Sequence, residues 1–352
     1  MINYIDPPKK LLKHIDRIAE IQQGGHPAPV NVEIDLSNRC NLGCLGCHFA
    51  HTHTRGWYAD KANESLVGDL MDVELAIEIL QQLKESGVLS VTWTGGGEPT
   101  LHPKFDEIIE AAHTIGLKQG IYTNGTNISP ERAELMRNVF DWIYISLDRA
   151  DKETYKQYKR ADAFDKAIDG IVNLKRAKGK ATIGIGFLLS ATSLPYARDM
   201  LDLGLDLEVD YIQFRPEISF NPAQPSKAPE DNTWIKAAIM WLDGVKDRHK
   251  VQVDISRFDM YRNWDGHGYK NCYWSKMQTV ITPNGKMWTC VNRRGFDDDE
   301  IGDLTKEHFQ DVWNRHDVKA VDRLCRVMCR GHIPNLTLDY MMSDHNGHDD
   351  FI

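Results

Sequence analysis

The chain has 352 residues, 41% of them hydrophobic and 26% charged, the balance of a soluble globular protein long enough for one large domain and a smaller one. A formal net charge of -9 argues against a nucleic-acid polyanion as the main partner, and no apolar stretch reaches membrane-spanning length. The opening MINYIDPPKKLLKHIDRIAE lacks the uninterrupted apolar core of a signal peptide, so the expected location is the cytoplasm, with no nucleic-acid or membrane partner.

In chain order, residues 8–23 carry Leu11, Leu12, Ile15, Ile18, Ala19 and Ile21 at helical spacing and predict an amphipathic helix closed by Gly24-Gly25-His26-Pro27. A strand over 30–36 follows. The segment 48–69 is polar, with His51, His53, Arg55 and Trp57, and reads as a long loop, either a cover for a site or a surface excursion. Beyond it the pattern alternates: helix 73–85, strand 89–94, helix 105–115, strand 118–122, helix 130–138, strand 142–147, helices 152–158 and 163–178, strand 182–189, helix 194–203 and strand 211–215. Repeated βα units of this kind build a parallel sheet, and periodicity leaves open whether six such strands form a doubly wound sheet or a partial barrel. In either geometry ligands sit at the carboxyl ends of the strands. The cysteine-rich string after the first strand falls there, as do Gly95 to Pro99, Thr123-Asn124-Gly125, Ser146-Leu147-Asp148 and Gln213-Phe214-Arg215. The lysines between Lys152 and Lys159 read as the solvated face of one helix.

Seven cysteines in a chain expected in the cytoplasm read as metal ligands rather than disulfides. Cys40, Cys44 and Cys47 are spaced Cys-x3-Cys-x2-Cys; three thiolates make a soft-ligand site and leave one corner of a cubic iron-sulfur cluster open. A zinc site completed by a nearby histidine is the competing reading. Cys272, Cys290, Cys325 and Cys329 bracket a hairpin in which 279–282 and 286–289 flank Pro283-Asn284-Gly285, and four converging thiolates suit either zinc or an iron-sulfur cluster.

The cysteine loop after a first strand, with Gly95-Gly96-Gly97-Glu98-Pro99 following the second, resembles the radical S-adenosylmethionine (SAM) superfamily. The resemblance implies an α/β fold, a partial (β/α)6 TIM-like barrel over 30–255, preceded by a helical extension over 1–29. After the barrel, 265–335 resembles a small β-hairpin plus helix auxiliary iron-sulfur domain of the twitch or SPASM type, leaving a tail over 336–352. Two 4Fe-4S clusters follow, the first on Cys40, Cys44 and Cys47 and the second on Cys272, Cys290, Cys325 and Cys329, although Cys325-x3-Cys329 departs from the commoner two-residue gap.

SAM would lie against Gly95, Gly96, Gly97, Glu98 and Pro99, with Glu98 beside its amino group, and Asn124, Ser146 and Arg160 match positions that contact it. The residue before the third cysteine is often aromatic in this family and packs on adenine; here it is Gly46, so His48 or Phe49 is expected to supply that contact. The implied activity is reductive cleavage of SAM to a 5'-deoxyadenosyl radical, with an electron donor such as flavodoxin or ferredoxin. A second, fully ligated cluster has no open iron and implies an electron acceptor, hence net oxidation of a small polyol, aminocyclitol, sugar or nucleoside. The competing readings are a maturase acting on a peptide and a zinc-binding structural protein. Asp148, Arg215 and Glu217 are the candidate catalytic residues, Arg215 as an anchor for an oxygen anion and the carboxylates as bases.

Overall fold

A computed structural model describes residues 7–47, 70–217, 233–246, 251–253, 255–322, 325 and 329–343. His48, Phe49 and the segment 48–69 lie outside the described residues, as does most of the expected tail.

Seven strands run parallel in sequence order: β1 (Asn31–Asp35), β2 (Ser90–Thr94), β3 (Lys118–Thr123), β4 (Trp142–Ser146), β5 (Thr182–Leu189), β6 (Tyr211–Pro216) and β7 (Val251–Val253). β7, short and in a stretch without clear alternation, is one strand more than the sequence pattern predicts. Three of the connecting helices begin at side-chain caps. Asp72 accepts from Glu74 N and Leu75 N before Val73–Glu85, Ser129 from Arg132 N before Pro130–Val139, and Asp151 from Thr154 N before Lys152–Lys159.

The strand faces divide cleanly. Val32, Ile34 and Leu36 of β1, like Val91 and Trp93 of β2, turn outward into the apolar core beneath the helices. The opposite face is polar: Asn31, Thr94, Tyr122, Tyr144, Gln213 and Arg215, from five different strands, line one internal cavity of about 560 Å³. Inward residues of β1 through β6 meet around one space only if the sheet curls about it, which selects the partial barrel over the doubly wound sheet.

Glycines on the inner face make room for rings from the neighbouring strand. A Cβ at Gly120 would run into the Trp142 indole, one at Gly184 into the Tyr211 ring and one at Gly186 into the Tyr144 hydroxyl. The segment 183–187 thus presents glycines roofed by two tyrosines.

After the short β8 (Asn271–Cys272), the C-terminal hairpin, β9 (Gln278–Ile281) and β10 (Lys286–Trp288), continues the barrel sheet instead of standing apart. β9 pairs in parallel with β1, β10 antiparallel with β9, and β11 (Glu300–Asp303) antiparallel with β10. A charged cluster fastens the same junction. Glu33 and Asp35, both buried on the inner face of β1, receive Arg294 and Arg330 from the C-terminal segment, and Gln278 donates to Glu33. The N-terminal helices pack on Met277 and Leu338 through Leu11, Ile18 and Ile21, so the extension also closes against the C-terminal region. Among the described residues no helix is long and apolar enough to cross a membrane.

His316 is buried behind the hairpin, where burial and the Lys276 charge push its pKa down to about 4. The unfolded imidazole binds its proton near pH 6.5, so as pH falls the unfolded chain takes up the proton first and stability drops between pH 6.5 and about 4. Lowering the pH from 7 to 5 is expected to cost about 2 kcal/mol through this residue. Urea midpoints at the two pH values should show a smaller difference in His316→Gln than in the parent chain.

Candidate cofactor and active site

The cysteine loop leaves the carboxyl end of β1 and is pinned by three neighbouring elements. From the turn after β2, Gly97 N donates to Ser37 O (3.0 Å) and Glu98 N to Arg39 O (2.8 Å). A Cβ at Gly97 would run into the Arg39 carbonyl, and one at Gly95 would lie 2.6 Å from Gly97 O, so this turn requires glycine for backbone-to-backbone approach. From the turn after β3, Asn124 Nδ2 donates to Asn41 Oδ1 (2.9 Å), and Asn41 Nδ2 donates in return to Thr126 Oγ1 (2.8 Å). After β4, the last carbonyls of helix Lys152–Lys159, which a helix end leaves without internal partners, accept from the loop: Gly43 N to Lys159 O and Leu45 N to Tyr158 O, both 2.9 Å.

Glu98 holds this arrangement together. Its Oε1 accepts from Thr123 Oγ1 (2.6 Å), Thr100 Oγ1 (2.7 Å) and Thr100 N (3.2 Å), and its Oε2 from Asn124 N (2.7 Å). The residue expected to face a ligand ammonium is therefore also a buried clamp between the turns after β2 and β3. Burial raises its pKa while these four donors pull it back.

Beneath the loop lies a buried ion pair. Lys159 Nζ meets Asp148 Oδ2 at 2.6 Å, with both side chains 3% exposed, and also donates to Ser146 O (2.9 Å), while Ser146 Oγ donates to Asp148 Oδ2 (3.1 Å). Asp148 adopts a left-handed backbone (φ 64°), a conformation that non-glycine residues rarely take. Burial raises the Cys44 thiol, and the nearby Lys159 charge pulls it partly back. The sequence reading had all the lysines of this helix solvated; Lys159 is the exception because it falls on the helix's inner face with Tyr155 and Tyr158.

Tyr158 donates to Glu217 Oε1 (2.8 Å), and Arg149, itself buried, lies 3.8 Å above the Tyr158 ring. A Cβ at Gly46 would come within 2.6 Å of the Tyr158 hydroxyl and 2.9 Å of Glu217 Oε1. The space left by the missing aromatic side chain is thus filled from another helix. Arg160, by contrast, is exposed in a left-handed conformation (φ 53°) that ends the helix. Lys159, Tyr158 and Arg149 are site residues that sequence reasoning missed, and only the apolar spacing of Tyr155 and Tyr158 hinted that this helix buries a face.

Asp148 and Glu217 lie under the cysteine loop, engaged with Lys159 and Tyr158; Arg215 lines the barrel cavity with its guanidinium 5.0 Å from the Tyr144 ring, and the Asp148 carboxylate is close enough to act on its charge.

All seven cysteines are free thiols, partly buried, and fall into the two expected groups. Burial pushes Cys40 up to about 12, with Glu98, Cys44 and Cys47 adding to the effect. Cys272 is raised by burial and by Cys329, Cys290 and Cys325 together, which places the four C-terminal thiols around one another.

The family comparison now has a geometry to meet. Residues 34–192 match the radical SAM superfamily, and 272–332 match an iron-sulfur cluster-binding domain. The chain carries a radical SAM domain and an iron-sulfur cluster-binding domain. The first match spans the cysteine loop and every strand-end turn that pins it, and the second begins at Cys272 and contains all four C-terminal cysteines. Similar sequences include a probable GTP 3',8-cyclase of Methanocella arvoryzae, 27% identical over 53% of this chain and 54% of that protein. The mycofactocin maturase MftC of Mycobacterium tuberculosis is 30% identical over 50% of this chain and 42% of its own. The chain spans about half the length of the curated relatives it matches. Among solved structures, Streptococcus suis SuiB bound to SAM covers 90% of this chain and 73% of its own with a TM-score of 0.64 at 18% identity, a likeness of fold.

The two domains imply SAM and two 4Fe-4S clusters, and the residues fit them. Thiols raised this far by burial ionise only against a cation, which cluster iron supplies. Among the described residues no three His, Cys, Asp or Glu side chains converge closely enough for a single metal ion. Near the loop, Asn38 Nδ2 and Asp148 Oδ1 are buried without hydrogen-bond partners, one donor and one acceptor available to a zwitterionic aminocarboxylate.

Gly97→Ala is expected to displace the cysteine loop. Reconstituted protein should lose most of the iron of the first cluster, whereas Gly244→Ala, where a Cβ meets nothing within 4 Å, should retain it. Iron analysis of both variants checks this.

Proposed function

We propose that this protein is a radical SAM enzyme that oxidises a small substrate held in the barrel cavity, a polyol, aminocyclitol, sugar or nucleoside. When bound and reduced, SAM on the first cluster supplies a 5'-deoxyadenosyl radical that removes a hydrogen atom from an unactivated carbon.

The observation that carries this reading is the cavity. Its volume, about 560 Å³, lies within the range of small-ligand sites, and Thr94, immediately before the Gly95–Pro99 turn, and Cys329 of the C-terminal domain both line it. A substrate inside it therefore reaches from the edge of the SAM turn toward the second group of cysteines. The chain's own contribution is positioning. Three sets of backbone and amide hydrogen bonds hold the cysteine loop in place, and Glu98 fixes two of the turns that supply them. Asp148 fixes the Lys159 ammonium beside Cys44. Arg215 presents a permanent cation to the cavity, suited to anchoring an oxygen anion and unsuited to accepting a proton. With seven cysteines divided three and four between the clusters, no thiol is left to return a hydrogen atom to the substrate, which favours net oxidation over epimerisation.

A peptide substrate is the second reading, favoured by the similarity to the maturase MftC. The similarity to a GTP cyclase favours a nucleotide-like small molecule instead, and the internal cavity is consistent with that choice.

Anaerobic reconstitution should give about eight irons per chain and 5'-deoxyadenosine under strong reduction. Cys40→Ala should abolish 5'-deoxyadenosine, while Cys290→Ala should fall to about four irons and still form it. Four irons in the parent chain, or no 5'-deoxyadenosine from it, would contradict the proposal.

A further inference from the structure

The barrel cavity is cationic in an acidic protein. Lys10, Arg215, Arg257 and Arg330 contribute to its wall and, among the described residues, no aspartate or glutamate does, although the chain carries a net charge of -9. Arg330 is committed to Glu33. Arg215 differs: its Nε is buried with no hydrogen-bond partner, and no described residue forms an ion pair with its guanidinium. A buried guanidinium N–H without an acceptor is costly, and such a group persists where a ligand completes it.

A second orphaned donor lies beside it. The Tyr144 hydroxyl is buried without a partner, resting over Gly186 of β5, and its ring is 5.0 Å from the Arg215 guanidinium. β4 and β6, which carry these two residues, are separated by β5 alone, and the glycines of that strand let the Tyr144 ring fold across it. Next to the pair, Tyr122 sits edge-on to both Trp142 and Tyr144 at 5.0 Å, forming an aromatic wall on the same cavity.

From this juxtaposition we infer that the substrate carries an oxyanion, a phosphate or carboxylate, bound by Arg215 and the Tyr144 hydroxyl, next to a planar group packed on Tyr122 and Trp142. The inference rests on the reading of the cavity as the substrate site and narrows its occupant. An oxyanion supplies the acceptor lone pairs that both donors lack, and a guanidinium binds phosphate or carboxylate through paired N–H groups. A neutral polyol would supply acceptors without compensating the buried charge.

Two matched pairs of probes separate the possibilities: guanosine monophosphate against guanosine, and N-acetyltyrosine against N-acetyltyrosinamide. Binding to the reconstituted, SAM-loaded protein is followed by tryptophan fluorescence, since Trp142 and Trp274 line the cavity. The anionic member of at least one pair is expected to bind tenfold or more tightly than its neutral partner. Preference in the first pair identifies a phosphate and in the second a carboxylate. Arg215→Gln should abolish the preference, Arg215→Lys should retain part of it, and Tyr144→Phe should reduce it about threefold to tenfold. Equal binding within both pairs, or an undiminished preference in folded Arg215→Gln, overturns the inference. Should Arg215→Gln fail to fold, the parent chain and Tyr144→Phe still decide: no anion preference in the first, or an unchanged one in the second, overturns it. Because the readout is binding, a failure here is distinct from a failure to form 5'-deoxyadenosine, which tests the radical reading itself.

Discussion

β1 is the element on which the rest depends, because its two carboxylates are buried against arginines from the far end of the chain. Glu33 and Asp35 sit on the inner face of the first strand, and Arg294 and Arg330 reach them from the segment that carries the second group of cysteines. Removing one partner of such a buried pair leaves an uncompensated charge and costs about 3–5 kcal/mol, so the cluster enforces registry between barrel and C-terminal domain. The same strand pairs with β9 along its outer edge and releases the cysteine loop from its carboxyl end. One five-residue strand thereby fixes the relative position of both cysteine groups, and the cavity between them inherits its shape.

The first cofactor loop shows how short-range chemistry becomes preorganisation. Loops rarely hold several ligands rigidly by themselves, and this one is held by neighbours: glycine turns that allow backbone contact, an amide chain in which Asn124 donates to Asn41 and Asn41 to Thr126, and the open carbonyls of a helix end. Gly46 and Tyr158 show the same economy. Where the loop has no side chain, a tyrosine from the next helix occupies the space and ties itself to Glu217.

Charge is distributed unevenly for a reason that net charge conceals. The surface is acidic overall, yet the cavity wall carries bases and no acids. The carboxylates nearest to it, Glu33 and Asp35, are consumed by the domain junction, and Asp148 by Lys159, which leaves Arg215 as the cation whose charge no ion pair among the described residues offsets.

The alternation of apolar strands with capped helices was legible in the sequence because the local period of hydrophobicity sets secondary structure, and the cysteine spacings were legible because ligands in one loop are close in sequence as well as in space. The strand-end positions of Gly97, Glu98, Asn124 and Ser146 followed from the same βα rule. The tertiary structure alone decided that Lys159 is buried while Lys152 and Lys156 are exposed, that Arg149 is buried while Arg160 is exposed, and that Arg215 lines the cavity beside Tyr144. It also decided that the C-terminal hairpin extends the barrel sheet. Each of these turns on a contact between residues far apart in the chain, Glu33 with Arg330 or Tyr158 with Glu217. The energy of such a contact comes from burial that no local window of sequence contains.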